Sequence, residues 1–427
     1  MSKDSYSNSQ SGRALRTAVC LSFLVLCLLF FWTAAKAGVA RFLGRYVSIA
    51  GDLTVADRSV SLAPSDPESH KTKAAVLYQS KQFALAISEL ELAISLRPRD
   101  DYLWLQLGMA REAIEDAAGA ALAFNESVRL APYYALAHWQ RGNFLLRQGK
   151  LEEGFADLRH ASASNPDYRP ILIDLAWGIS KGDQRLTESY AQIATPEMHL
   201  AFAELLARQG KGQEALEQLS RSGSIPERTR KELVRHLISA NDVKTAFKIW
   251  SESKNGTTLG IEVTTIYDGG FEGTLTLDEF GFGWRVFRGS ESVRLTADST
   301  DRHTGSKSVA IEFLGESNPD TPLLSQIILV KPSSSYRVSF AARAKEIVTG
   351  GPPVAVVSES AGSRKRLAES SLIDQKSSDW QVVSFNFQTE PKTEAITVSI
   401  QRRNCSTAPC PIFGSLWLDS FSIEELH

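Results

Sequence analysis

This sequence lacks a dominant charge, a dense cysteine framework and any catalytic signature. Its 47 Lys and Arg nearly balance 49 Asp and Glu, a formal net charge of −2 over 427 residues. No field of one sign therefore marks the chain for nucleic acid. It contains no phosphate-binding glycine loop, no dinucleotide fingerprint, no His-Glu-x-x-His pair and no nucleophile elbow. The seven histidines (His70, His138, His160, His199, His236, His303 and His427) stand at no spacing suited to a shared metal. These absences point away from an enzyme and toward a protein that binds. The four cysteines are of two kinds. Cys20 and Cys27 sit in an apolar run, where a thiol is a small hydrophobe. Cys405 and Cys410 flank a polar, proline-containing loop, which suits a small disulfide in an oxidising compartment. Free thiols and a zinc half-site are the competing readings, and the half-site has no second Cys/His pair nearby. The basic runs 364–366 and 402–403 lie among turn-forming residues and read as solvated hairpins.

What is present begins with residues 17–35, nineteen positions without a charge. As a helix they span about 28 Å, enough to cross the hydrocarbon core, with Trp32 near one interface. The reading is a transmembrane helix behind a cytoplasmic tail, 1–16. Ala35-Lys36-Ala37 supports the alternative of a cleaved signal and a secreted chain. The run is longer than a usual signal core, and a helical pattern continues past it, so a retained anchor is expected. Lys3, Arg13 and Arg16 before the run balance Lys36, Arg41 and Arg45 after it. The disulfide reading alone tips the orientation toward a periplasmic bulk on a single-pass inner-membrane protein.

Pro64, Pro98, Pro132 and Pro166 recur every 34 residues. Small residues hold fixed offsets before them: Ala74, Gly108 and Gly142, then Ala86, Ala120 and Gly154, then Ala93, Ser127 and Ala161. Such positions are needed where two helices of one hairpin cross closely, while Leu90, Phe124 and Leu158 fill the space beside them. This stretch resembles the tetratricopeptide repeat family, clearest over 67–166. A first unit ending at Pro64 is degenerate, with Asp52 and Arg58 where apolar or small residues would fit better, and its first helix would continue out of the membrane segment. Looser helix pairs carry the solenoid from 36 to 253.

After a linker at 254–262 the pattern becomes alternating. Strands are expected at 292–295, 308–313, 325–330, 336–341, 354–358, 381–387, 395–401 and 416–423, which makes an all-β sandwich over 263–427. Gly269-Gly-Phe-Glu272, Gly283-Trp284, His303-Thr-Gly-Ser-Lys-Ser308, Trp380 and Trp417-Leu-Asp419 occur in an order similar to the galactose-binding-like jelly rolls, which include many carbohydrate-binding modules. That resemblance implies a structural calcium held by Glu272 and Asp419, with Asp301 as a third ligand; turn caps or ion pairs are the plain alternative. It also implies that Trp284, Trp380 and Trp417 are core residues.

The whole reads as a membrane anchor, an all-α solenoid and a jelly roll. The favoured function is a non-enzymatic scaffold that grips a protein partner, in cell-envelope or surface-polysaccharide assembly. The family's groove offsets fall on Lys71, Tyr78 and Gln79, on Tyr102, Leu105, Met109 and Glu112, and on Trp139, Asn143 and Arg147. Packing against neighbouring helices is the alternative for Leu105, Met109 and Trp139. The second function is glycan binding by the jelly roll with the solenoid as spacer. No cofactor is required beyond the calcium, and no nucleic-acid partner is expected.

Overall fold

A computed structural model describes residues 4–254, 264–276, 279–286, 292–319, 321–360, 364–373, 375, 379–405 and 409–427; of 4–18, 48–50 and 254 it describes the backbone alone. Residues 255–262 of the expected linker lie outside the described residues. The chain forms two compact units, 1–192 and 193–427.

The first unit opens with α1 (Asp4–Ala50), one helix of 47 residues. Its stretch Val19–Val47 is long and apolar enough to cross a membrane. Phe23, Phe30, Phe31 and Trp32 are each more than 60% exposed. Further along, the same helix enters the protein. Val47 packs with Ala56 and Val76, and Ser59 Oγ donates to the Ala40 carbonyl at 2.9 Å. The anchor-like helix is thus also the first helix of the first repeat, paired with α2 (Leu53–Leu62). Asp52, out of place as a packing residue, caps α2 by accepting the Thr54 N–H at 2.8 Å.

Three regular hairpins follow: α3 (Pro67–Gln79) with α4 (Phe83–Leu96), α5 (Asp101–Ala113) with α6 (Ala117–Leu130), and α7 (Ala135–Arg147) with α8 (Leu151–Ser164). α9 (Tyr168–Ile179) and the short α10 (Gln184–Ala191) complete this unit. The small residues stand where the helices touch. A Cβ on Gly142 would lie 2.9 Å from the Gly154 carbonyl and 2.9 Å from Leu158, and one on Gly108 would lie 2.7 Å from the Phe124 ring. A second periodic device ties each repeat to the turn before it. Six residues after three successive repeat prolines stands a ring N–H donor. Nε2 of His70 meets the Pro64 carbonyl, Nε1 of Trp104 the Pro98 carbonyl, and Nε2 of His138 the Pro132 carbonyl, each at 2.9 Å. Nδ1 of His70 then faces Glu89 at 2.6 Å, and Nδ1 of His138 faces Asp157 at 2.9 Å, both on the second helix of the same hairpin.

The second unit contains α11 (Pro196–Arg208), α12 (Gly212–Ser222), α13 (Glu227–Ser239), α14 (Val243–Lys254) and the sandwich. These four helices are the further helix pairs expected up to residue 253, and they share a compact unit with the strands. Trp250 of α14 is completely buried; its indole N–H donates to Glu279 at 2.8 Å, and Phe247 meets Phe282 edge-on. The strands are β1 (Arg285–Val286), β2 (Val293–Asp298), β3 (Ser308–Glu316), β4 (Leu324–Leu329), β5 (Ser335–Thr349), β6 (Pro353–Glu359), β7 (Arg366–Glu369), β8 (Gln381–Gln388), β9 (Ala395–Arg402) and β10 (Pro411–Leu426). They form two five-stranded antiparallel sheets, β1-β4-β9-β6-β7 and β2-β3-β10-β5-β8. Each of the eight expected strands is present, and the short strands β1 and β7 are additions. Phe271, Trp284, Phe313, Tyr336, Phe340 and Leu418 fill the space between the sheets.

Arg402 departs from the solvated hairpin expected for it. It is buried, and its guanidinium donates to the carbonyls of Ser317 and Cys410 at 2.8 Å and to Thr349 Oγ1 at 2.9 Å. The planar fork satisfies three converging segments at once, which a turn of ordinary polar residues does not do. Cys410 is joined to Cys405 in a disulfide with Cα atoms 5.7 Å apart.

Gly142→Leu should lower unfolding stability by about 1–3 kcal/mol or more, because the α7–α8 contact leaves no room for a side chain. Thermal unfolding followed by circular dichroism checks this; an unchanged transition would mean that the helices do not approach as described.

Candidate functional site

Two cavities of the first unit contain residues of the expected groove set. The larger, about 850 Å³, is lined by α1, α3 and α5 and contains Lys71, Gln79 and Tyr102 of the expected groove set. The Lys71 ammonium lies 5.8 Å over the Tyr102 ring and 2.5 Å from Glu68. The second, about 620 Å³, is lined by Tyr78, Met109, Glu112 and Arg147, with Arg147 and Glu112 paired at 2.7 Å. Leu105 belongs to neither. It is buried with Phe124 and Phe144, because α5 turns that position toward the hairpin core. Trp139 is taken up by packing, stacked flat on Tyr168 at 4.5 Å, and Asn143 donates to the Trp139 carbonyl of its own helix.

In the sandwich the three expected calcium ligands separate into two groups. Asp419 is completely buried, and its Oδ2 accepts the backbone N–H groups of His303 and Thr304 at 2.8 and 2.9 Å. Glu272 accepts the N–H groups of Ser306 and Lys307 at 2.7 and 3.3 Å, and the Ser306 hydroxyl. Gly305, at φ +62°, lets the turn close on that carboxylate, since a Cβ there would lie 2.0 Å from it. Both acids thus bind one turn, 303–307, Asp419 through two N–H groups and Glu272 through two N–H groups and a hydroxyl. Asp301 does not join them; its carboxylate pairs with Arg343. Among the described residues no three acidic, His or Cys side chains converge as a metal site. A calcium held by all three residues does not fit this geometry.

Two of the three tryptophans expected in the core are outside it. Trp284 is buried among Phe271 and Phe421. Trp417 is half-buried on the outer face of the second sheet; the Arg343 guanidinium lies 5.5 Å from its ring, and its indole donates to Asp298 at 2.8 Å. Trp380, also half-buried, lies 5.7 Å from the His303 ring. Outward position on β10 decides this for Trp417: the inward residues Leu416 and Leu418 flank it. On the same face Phe413 stands opposite Leu314 and Val348, and all three are exposed.

The first sheet carries a polar cleft of about 450 Å³ on β6, β7 and the end of β9, walled by Val354, Arg366, Glu369, Gln401, Arg403 and Asn404. Glu369 accepts from Arg366 at 2.6 Å and pairs with Arg403. The cleft also borders Arg402, so three arginines and two amides surround one carboxylate, a hydrogen-bonding lining that suits a polyhydroxylated ligand. The signal in the sequence was the polar run 401–404 at the end of a strand, which a hairpin reading absorbed.

Residues 263–407 match the family model described as Carbohydrate binding domain. The C-terminal domain is CBM4-like. Protein FlbA of Caulobacter vibrioides is 35% identical over 101 residues, which is 24% of this chain and 17% of FlbA, so the chain spans under a fifth of that relative. A solved CBM4 structure is 15% identical with a TM-score of 0.29, covering 38% of this chain and 99% of its own. YrrB, a TPR protein with an unusual peptide-binding site, is 14% identical with a TM-score of 0.28, covering 52% and 91%. MamA is 13% identical with a TM-score of 0.30, covering 44% and 91%.

Asp298 reports on the outer face. Burial pushes its carboxyl up, but hydrogen bonds from the Thr300 side chain, the Trp417 indole and two backbone N–H groups outweigh this and hold it at about 2. A carboxyl held low stabilises the fold fully above the ordinary range near pH 4 and loses that contribution as pH falls toward 2. Wild type should therefore exceed Asp298→Asn in denaturant midpoint at pH 6, and the gap should close by pH 2. A gap that persists at pH 2 would remove the carboxylate from this role.

Proposed function

We propose that this protein is a non-enzymatic, membrane-anchored binding protein whose sandwich takes a glycan and whose solenoid holds a protein partner. The observation that carries the glycan reading is the polar cleft of Arg366, Glu369, Gln401, Arg403 and Asn404, which lies within the carbohydrate-binding match. No metal or cofactor is assigned a role in it. The apolar run of α1 supports a retained anchor, because exposed Phe23, Phe30, Phe31 and Trp32 are disfavoured in water and favoured in hydrocarbon. We place the bulk of the chain in the periplasm, since the disulfide at 405–410 suits an oxidising compartment. Assembly of cell-envelope polysaccharide is the setting that joins a glycan reader to a partner groove.

Polysaccharide pull-down and a glycan array with the full chain in detergent test the reading. Arg366→Ala with Gln401→Ala should lower glycan retention at least tenfold, as expected when hydrogen-bond partners in a site are lost. Phe413→Ala should leave it unchanged. The opposite pattern would move the site to the second sheet, and no glycan retained by the wild type would end the proposal.

The partner reading has its own support in the two cavities of α1, α3, α5 and α7. Crosslinking in membranes should recover a partner, and Tyr102→Ala with Met109→Ala and Arg147→Ala should reduce its yield severalfold with the helical signal intact. These side chains are of the kinds that anchor interfaces. An undiminished yield would count against the groove.

A further inference from the structure

The 850 Å³ cavity of the first unit begins just past the apolar run. Its lining starts at Gly38 and includes Arg41 and Arg45 of α1, Lys71 of α3 and Arg97, against one acid, Glu68. At 1.5 Å per residue, Gly38 lies about 5 Å beyond Ala35, Arg41 about 9 Å and Arg45 about 15 Å. The headgroup layer adds about 5–7 Å outside the hydrocarbon on each side, and a tilted helix lowers all three positions toward it. Long cationic side chains reach back along a helix to that layer.

From this juxtaposition we propose that the cavity binds the phosphate headgroup of an anionic phospholipid. The proposal rests on the anchor reading above. Each of the four cations, Arg45 included, already has a partner in the structure. Arg41 meets Asp66 at 3.3 Å, Lys71 meets Glu68 at 2.5 Å and Arg97 meets Asp100 at 3.2 Å. Arg41 and Arg97 face solvent in these pairs although Asp66 is largely buried, and a guanidinium can keep such a partner while forming short, charge-assisted hydrogen bonds to a phosphate, often two at once. The Tyr102 ring under Lys71 adds a wall against which a glycerol headgroup can lie. A headgroup held here would fix the height of the solenoid above the bilayer and fill one end of the groove.

The test uses the full chain in a neutral maltoside detergent, examined by native mass spectrometry with phosphatidylglycerol or phosphatidylcholine added. Phosphatidylglycerol should be retained about tenfold better, given the attraction of each surface cation for anionic lipid. Arg45→Gln with Lys71→Gln should bring the two lipids level, as should Arg41→Gln with Arg97→Gln, each checked for helicity. Lys36→Gln, which lies outside the cavity, should keep the preference. Equal retention of both lipids by the wild type, or a preference that survives both paired variants, overturns the proposal. So does full displacement of phosphatidylglycerol by millimolar inorganic phosphate, which would assign the site to a free anion. Alkaline carbonate extraction separates the two readings: release from membranes ends the anchor, while a retained chain without lipid preference ends only the headgroup.

Discussion

The first unit depends on how closely two helices of a hairpin can cross. Where Gly142 faces Gly154, the Cβ-to-carbonyl clearance of about 3 Å leaves space for backbone alone, and where Gly108 faces Phe124 the ring fills the gap. That distance sets how near the two helices of a hairpin lie, and the same constraint recurs every 34 residues. The ring donors at 70, 104 and 138 fix a second variable, the angle at which each turn delivers the chain into the next helix. The residues that carry both constraints are separate from Tyr102, Met109, Glu112 and Arg147, which line the two cavities.

Much of this was legible because a repeat states each constraint several times. Prolines and glycines at a fixed interval need no tertiary information to be seen, and the alternating runs of the sandwich located each long strand. The ring donors were missed because the middle repeat uses Trp104 where its neighbours use His70 and His138; the chemistry is shared and the letter is not. Asp52 looked like a defect of packing and is a helix cap. Leu105 was carried into the groove by offset alone; it lies in a run with Leu103, Trp104, Leu107 and Met109, which gives no polar face to tell which of them turn inward.

The sandwich was less legible at its sites because its polar residues act across long sequence separations. Arg402 joins segments near 317, 349 and 410, and Asp419 closes a turn at 303–304. Neither partnership leaves a local pattern. Buried polar groups must find partners, and the fold selects which ones. The same reasoning explains the tryptophans: family position suggested the core for three, but outward pointing on β10 places Trp417 against Arg343, and only Trp284 is enclosed.

That α1 is both an apolar run and a repeat helix has a mechanical consequence. A flexible linker between an anchor and a solenoid would let the groove sample many heights and orientations, at an effective concentration set by the linker's length. Here Ala40 and Val47 are buried within the first repeat on the same unbroken helix that carries Phe30 and Trp32 outside it. Any motion of the groove relative to α1 must break the contacts of Val47 with Ala56 and Val76 and the hydrogen bond from Ser59 to Ala40. The lost hydrogen bond and the opened apolar contact would each oppose that motion. With α1 in a bilayer, the near end of the groove would stand at one fixed distance from the membrane surface, so a partner or lipid bound there would meet the same geometry each time.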